Sequence, residues 1–211
     1  MLIDELKNIA RNNGIVGAGG AGFPAYAKMT EKADTVILNC VECEPLLKLH
    51  RQLLATHTEE IIQMLDEVRE SFGAKEAVIG IKSEYVTTIK AIEEVIGDFP
   101  NVRICALKAA YPMGDEVVLI YEATGRVIKP GGLPIDENVV VYNVETMYNL
   151  YRAVHLNIPV TNKLVSIVGE IDHPLTVRVP LGTTVKEAIS LAGKITVEDP
   201  AYVMGLSLIH I

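Results

Sequence analysis

Residues 57–82 read "HTEEIIQMLDEVRESFGAKEAVIGIK". Ile61, Ile62, Leu65 and Val68 recur at helical spacing, with Thr58 where an N-cap is wanted and Gly73 past the last periodic residue. The stretch therefore predicts a helix over 57–73. Three residues later, "EAVIGIK" (76–82) is short and continuously apolar, the mark of a strand buried on both faces. A helix that hands over so quickly to such a strand is half of a βαβ unit. The alternation extends both ways along the chain. Upstream lie a helix over 3–12, a glycine-rich loop, a helical turn in "AYAKM" and the strand "DTVILN" (34–39). Downstream come a helix at 85–97, a strand at 101–107, a helix at 114–124, the strand "VVVYN" (139–143) and a helix over 144–156. The expected fold class is α/β, a Rossmann-like parallel sheet with helices on both faces.

The pattern changes after "NIPVTN". "KLVSIVGEI" and "LTVRVPLG" alternate as strands around "DHP", and the helical "TVKEAISLAG" follows. This predicts a β-grasp-like unit over 161–205 behind an α/β domain over 1–160. A strand-like "AYVMG" then leads to "LSLIHI" (206–211), the translation of a transposon end used as a sequencing-library adapter. Those six residues are read as an adapter-derived tail and carry no functional expectation.

Composition excludes several classes. Among 211 residues, 27 acids against 19 bases give a net charge of −8, which disfavours nucleic acid as a partner. No apolar run approaches the ~20 residues a membrane span requires, and the N-terminus lacks the apolar core of a secretory signal. Three cysteines make no disulfide framework, so the expected compartment is the cytoplasm.

Four segments carry candidate chemistry. "GIVGAGGAGFP" (14–24) holds five glycines and ends in Phe-Pro. Such bare backbone is costly to order, and exposed N–H groups for an anionic ligand are its usual reason. "GAGGAG" (17–22) matches G-x-G-x-x-G, yet a helix precedes it where a dinucleotide fingerprint needs a strand, and no Gly-Lys-Ser/Thr follows for a Walker loop. A plain surface turn is the bland alternative. "NCVECEP" (39–45) closes the first strand, the end at which open α/β sheets bind ligands. Its Cys40 and Cys43 form a lone C-x-x-C that is short of the four ligands a zinc or iron–sulfur site uses, so no metal is expected. "YPMGDEVVLI" (111–120) opens a helix with Asp115 and Glu116, suited to capping or to sugar hydroxyls. "RVIKPGGLPIDENVVVYNVET" (126–146) is a basic turn followed by a strand ending in Tyr142-Asn143.

In this order the four segments resemble the flavin- and NADH-binding core shared by RnfC, the PduS-type cobalamin reductases and the flavin subunit of respiratory complex I. The first loop is similar to that family's GxGGAGFP…K, here Gly17 to Pro24 with Lys28. "NCVECEP" resembles its N-x-x-E-x-E-P, "YPMGDE" its Y-x-x-G-E-E and "YNVET" its N-N-V-E-T. The region after residue 161 resembles the SLBB domain that follows in these proteins. The resemblance implies FMN held by Gly17, Gly19, Gly20, Lys28, Asn39, Glu42, Tyr111, Gly114 and Asn143. It implies NADH contacts at Phe23, Glu44, Glu116 and Lys129, with no catalytic side chain, because the flavin carries the chemistry. Ala18, Val41, Asp115 and Tyr142 depart from the complex I pattern. The family's 4Fe–4S clusters sit in C-x-x-C-x-x-C-x-x-x-C-P runs, absent from these 211 residues and expected in a missing C-terminal part.

The implied function is an NADH-dependent flavoprotein module passing electrons to clusters, a quinone, a ferredoxin, a corrinoid or another subunit. It would be cytoplasmic, or peripheral on the cytoplasmic face of a membrane complex. The competing readings are a docking subunit that keeps the fold without flavin and a flavin- or nucleotide-binding sensor. Flavin colour separates the docking subunit from the other two, and reduction by NADH separates the enzyme from the sensor.

Overall fold

The computed structural model describes residues 1–20 and 22–203. The "LSLIHI" tail lies outside the described residues, and Ala201–Val203 form no strand. Four parallel strands make the main sheet: β1 (Thr35–Cys40), β2 (Glu76–Lys82), β3 (Val102–Leu107) and β4 (Val139–Asn143), in the order β3-β2-β1-β4. Register runs from Thr35 opposite both Glu76 and Val139 to Asn39 opposite Gly80 and Asn143.

Strand side chains alternate between faces, and the core divides accordingly. Val36, Leu38 and Cys40 join Ala77, Ile79, Ile81, Val140 and Tyr142 in the larger cluster. That face is covered by α1 (Ile3–Asn12), α2 (Leu49–Thr56), α3 (Thr58–Phe72), α4 (Val86–Val95) and α6 (Val144–Leu156). Ile37, Val78, Val139 and Val141 face the other way, onto α5 (Glu116–Thr124). The division follows from the winding. Connections from β1 to β2 and from β2 to β3 move one way along the sheet, and that from β3 to β4 returns. A right-handed crossover reversed in direction must cross the opposite face. Gly80 lets α5 lie close, since a Cβ there would stand 2.5 Å from a Leu119 methyl.

Two local expectations change. The stretch 49–56 forms α2, which the sequence reading passed over, and α2 runs into α3 with only His57 between them. Thr58 therefore caps nothing. It is the first residue of α3, and its hydroxyl donates to the Leu54 carbonyl (2.7 Å), closing the end of α2 instead. Gly73 does terminate α3, in the left-handed conformation at φ 68°.

Behind α6, β5 (Asn162–Ile167) and β6 (Leu175–Pro180) pair antiparallel, and α7 (Val185–Ser190) packs on β5. A capping box between Thr184 and Glu187 starts α7. An isolated bridge, Ile171 to Ile195, ties the hairpin turn to the segment after α7.

Candidate functional site

Strand order reverses at the β1–β4 junction, where open α/β sheets leave a crevice beyond the strand carboxyl ends. A cleft of about 280 Å³ opens there. Of the thirteen residues expected to hold ligands, Gly17, Gly19, Gly20, Phe23, Lys28, Asn39, Gly114, Glu116 and Asn143 line it. They come from all four motifs, up to 126 positions apart in the chain.

The glycine loop forms the wall over β4 and α6. It is pinched shut at its base, where the Gly17 N–H donates to the Phe23 carbonyl (2.8 Å) and Val16 bridges Pro24. The Ala18 N–H donates to the Thr146 hydroxyl (2.9 Å), which itself donates to the Val16 carbonyl (3.3 Å). Among the described residues, the Gly19 and Gly20 N–H groups donate to no protein atom. Gly20 has open space where a Cβ would stand, whereas at Gly19 that atom would lie 2.5 Å from the Asn143 amide nitrogen. The two glycines thus serve different needs, one keeping a surface bare and the other permitting close approach.

Asn143 caps α6, its side-chain oxygen accepting the Glu145 N–H (2.9 Å), while its amide nitrogen lies 3.1 Å from the His50 ring. Asn39 is similarly engaged. Its oxygen accepts the Val41 N–H (2.9 Å) and its amide donates to the Gly114 carbonyl (3.0 Å), clasping the β1 exit to the turn before α5. Gly114 must be glycine for that clasp, because a Cβ would meet the Val41 carbonyl oxygen at 2.3 Å.

Asp115 and Glu116 divide the work at the start of α5. Asp115 is the cap, accepting the Val117 (3.0 Å) and Val118 (3.2 Å) N–H groups. Glu116 reaches across the cleft to Lys28, whose ammonium lies 3.4 Å from both its carboxylate and the Val141 carbonyl. Both partners stay partly exposed, so the pair adds little to stability. It places one cation and one anion side by side in the cleft lining.

Four expected residues lie elsewhere. Tyr111 is 81% exposed, Lys129 is exposed and Glu44 half-buried, none of them in the cleft lining. Glu42 is buried behind it: one carboxylate oxygen accepts the His50 N–H (2.9 Å) and the other has no hydrogen-bond partner, Arg51 Nε standing 3.7 Å away. Burial pushes the Glu42 carboxyl above its ordinary range, against the His50 N–H and the Arg51 charge. The same burial, with Lys163 nearby, drives the His50 imidazole down to about 4, so it is neutral at pH 7. Cys40 is buried and its thiol is pushed well above its usual value by desolvation. No group of three or more His, Cys, Asp or Glu among the described residues is arranged to hold a metal.

His50, Thr146, Val141 and Tyr142 belong to the site or its floor and were not anticipated. Thr146 stands in the quoted "YNVET", so its neighbourhood was marked even though its role was not. His50 carried no signal, because α2 itself was missed.

The donor set suits a phosphate: two free backbone N–H groups, the positive end of α6 and the Lys28 ammonium. The acceptor set, Glu116 and the strand-end carbonyls, suits hydroxyl and amide groups. Comparison with known proteins gives the same answer. A family model described as the Nuo51 FMN-binding domain matches residues 10–152, and one described as the SLBB domain matches 164–201. Cobalamin reductase PduS of Salmonella typhimurium is 40% identical over 202 residues, covering 96% of this chain and 44% of the relative. A component of the Na+-translocating ferredoxin:NAD+ oxidoreductase complex of Acetobacterium woodii is 31% identical, covering 96% of this chain and 47% of the relative. The chain therefore spans less than half the length of the curated relatives it matches. A chain of the NAD+-reducing NiFe-hydrogenase in its air-oxidized state shares the fold with a TM-score of 0.76, at 23% identity, over 90% of this chain and 39% of that one. With residues 10–152, the stretch that holds all four motifs, matched by one family model, the chain belongs to the Nuo51 FMN-binding domain family and carries an SLBB domain behind it.

Proposed function

We propose that the chain is the nucleotide-handling module of an NADH-dependent flavoprotein oxidoreductase, binding FMN in the cleft and taking reducing equivalents from NADH. The observation that carries this reading is the convergence of nine residues from four distant motifs on one cleft that offers free N–H donors and a lysine at one wall. Bound FMN supplies acceptance of a hydride and release of electrons one at a time. The protein's part is binding and orientation. Gly19, Gly20, Lys28 and the start of α6 hold the phosphate, and Gly17 keeps the loop narrow. Asn39 and Gly114 fix the opposite wall rigidly through their mutual hydrogen bond. Phe23, half-exposed at the mouth, gives a flat apolar face for the nicotinamide ring, and Glu116 gives an acceptor for its sugar or carboxamide. Tyr111, Glu44 and Lys129 enter only with a ligand that extends past the cleft. Glu42 acts from behind the floor, through the chain at His50.

The electron acceptor lies outside this chain: iron–sulfur clusters, a ferredoxin, a corrinoid or a partner subunit. No helix among the described residues is long and apolar enough to cross a membrane. The test is reconstitution with FMN followed by anaerobic titration with NADH. Stoichiometric flavin that bleaches with NADH supports the module. Folded protein that takes up no FMN refutes it, and flavin that stays oxidised restricts it to a binding role.

A further inference from the structure

The start of α6 makes three separate attachments, through its cap Asn143 and the first-turn residues Glu145 and Thr146. Asn143 meets the His50 ring and backs onto Gly19, while Thr146 clips the glycine loop through Ala18 and Val16. Glu145 turns the other way. It is only 3% exposed, and its carboxylate accepts the Leu164 backbone N–H (3.1 Å) and the Lys163 ammonium, both from β5 of the SLBB unit. Its own N–H is the one that Asn143 caps. A buried carboxylate therefore sits inside the helix turn whose positive end faces the cleft. Lys163 is the cation within ion-pair distance of it among the described residues. Arg152 and Arg178 line the same niche without reaching that distance.

A negative charge in a helix's first turn favours the helix but opposes a second anion at the same end. An unpaired buried carboxylate there would repel a phosphate in the cleft, with little water to screen it. We propose that the SLBB unit sets the charge of the flavin cleft, Lys163 neutralising Glu145 so that the α6 terminus and the glycine loop stay attractive to an anionic group. On this reading Lys163 is a positioning and charge-setting residue supplied by the second unit, and the SLBB unit is part of the binding site's electrostatics. The inference rests on the FMN reading above.

The experiment compares FMN and riboflavin, which lacks the phosphate, by flavin-fluorescence quenching in four versions of the full chain: wild type, Lys163→Met, Glu145→Gln and the double variant. Lys163→Met strands the carboxylate and is expected to weaken FMN on the order of tenfold, the scale of a first-turn charge in a partly buried site. Glu145→Gln keeps an acceptor for the Leu164 N–H, removes the charge and is expected to bind FMN at least as tightly as wild type. The double variant is expected to return to within about threefold of wild type by the same cancellation of charge. Riboflavin affinity should stay level across all four. Equal weakening in Lys163→Met and the double variant, or a riboflavin series that follows the FMN series, overturns the proposal in favour of plain loss of docking. If Lys163→Met does not fold, Glu145→Gln decides alone, and weaker FMN binding by it refutes the idea. Wild-type protein that binds no FMN sinks the flavin reading, whereas wild-type binding with a flat series sinks only this inference.

Discussion

Acidification offers a direct test of how the cleft floor is built. His50 is buried beneath Asn143, and burial, reinforced by the charge of Lys163, lowers its imidazole from 6.5 to about 4. Between those values the unfolded chain binds a proton that the native state refuses, so stability falls as pH drops from 6.5 towards 4 and is fully present above 6.5. At ~1.4 kcal/mol per pH unit the gap sets a ceiling of roughly 3 kcal/mol, about 2 kcal/mol of which is already lost at pH 5. Glu42 works in the opposite sense. Its raised folded value means the native state holds its proton longer, and its contribution declines as pH rises above 4.5 through that raised value. The two effects separate in a comparison of wild type with His50→Gln, because the Glu42 contact is to the backbone N–H of residue 50 and survives the substitution. Urea unfolding at pH 7 and pH 5 should show the wild type losing about 2 kcal/mol more than the variant, a midpoint difference of about 1 M. Parallel losses in the two proteins would mean that His50 is not held neutral, and that the floor is more open to water than its burial implies.

Three further outcomes follow from the cleft walls. Gly19→Val should abolish FMN binding in protein that still folds, because its first carbon would stand 2.5 Å from an Asn143 amide already pinned by Glu145 and His50; unchanged affinity by fluorescence titration removes the loop from the site. Gly114→Ala should cost about 1–3 kcal/mol in urea unfolding, since the methyl would meet the Val41 carbonyl oxygen rather than a yielding side chain; a cost below ~0.5 kcal/mol refutes the close approach. Glu116→Gln should raise the KM for NADH roughly tenfold to a hundredfold, from the loss of a charged acceptor, and leave FMN affinity equal or tighter because Lys28 is released; equal weakening of both ligands would point to a structural role instead.

Much of this protein could be read from the chain because its signals are local. Amphipathic spacing marked α3, Gly73 and Gly125 stand just past the ends of α3 and α5, and doubly apolar runs marked β1, β2 and β4. Each such signal is satisfied within one turn or one strand. The four motifs were legible for a related reason: each is a short backbone device, and nine of their residues do share one cleft. Only the tertiary structure decided which side chains face that cleft. Asn39 and Gly114 are 75 positions apart and Ala18 and Thr146 are 128 apart, so no local spacing could say that each pair is bonded. Nor could the chain show that Glu42 and His50 would be sealed behind the floor, or that Tyr111, Glu44 and Lys129 would stand outside the lining. α2 escaped notice because its stretch has no glycine stop and runs through a single residue into α3. The link from Lys163 to Glu145 depends on how β5 settles against the first turn of α6. That packing is set by the whole core, and so the charge at the cleft is decided by the folded molecule and not by any one segment of its sequence.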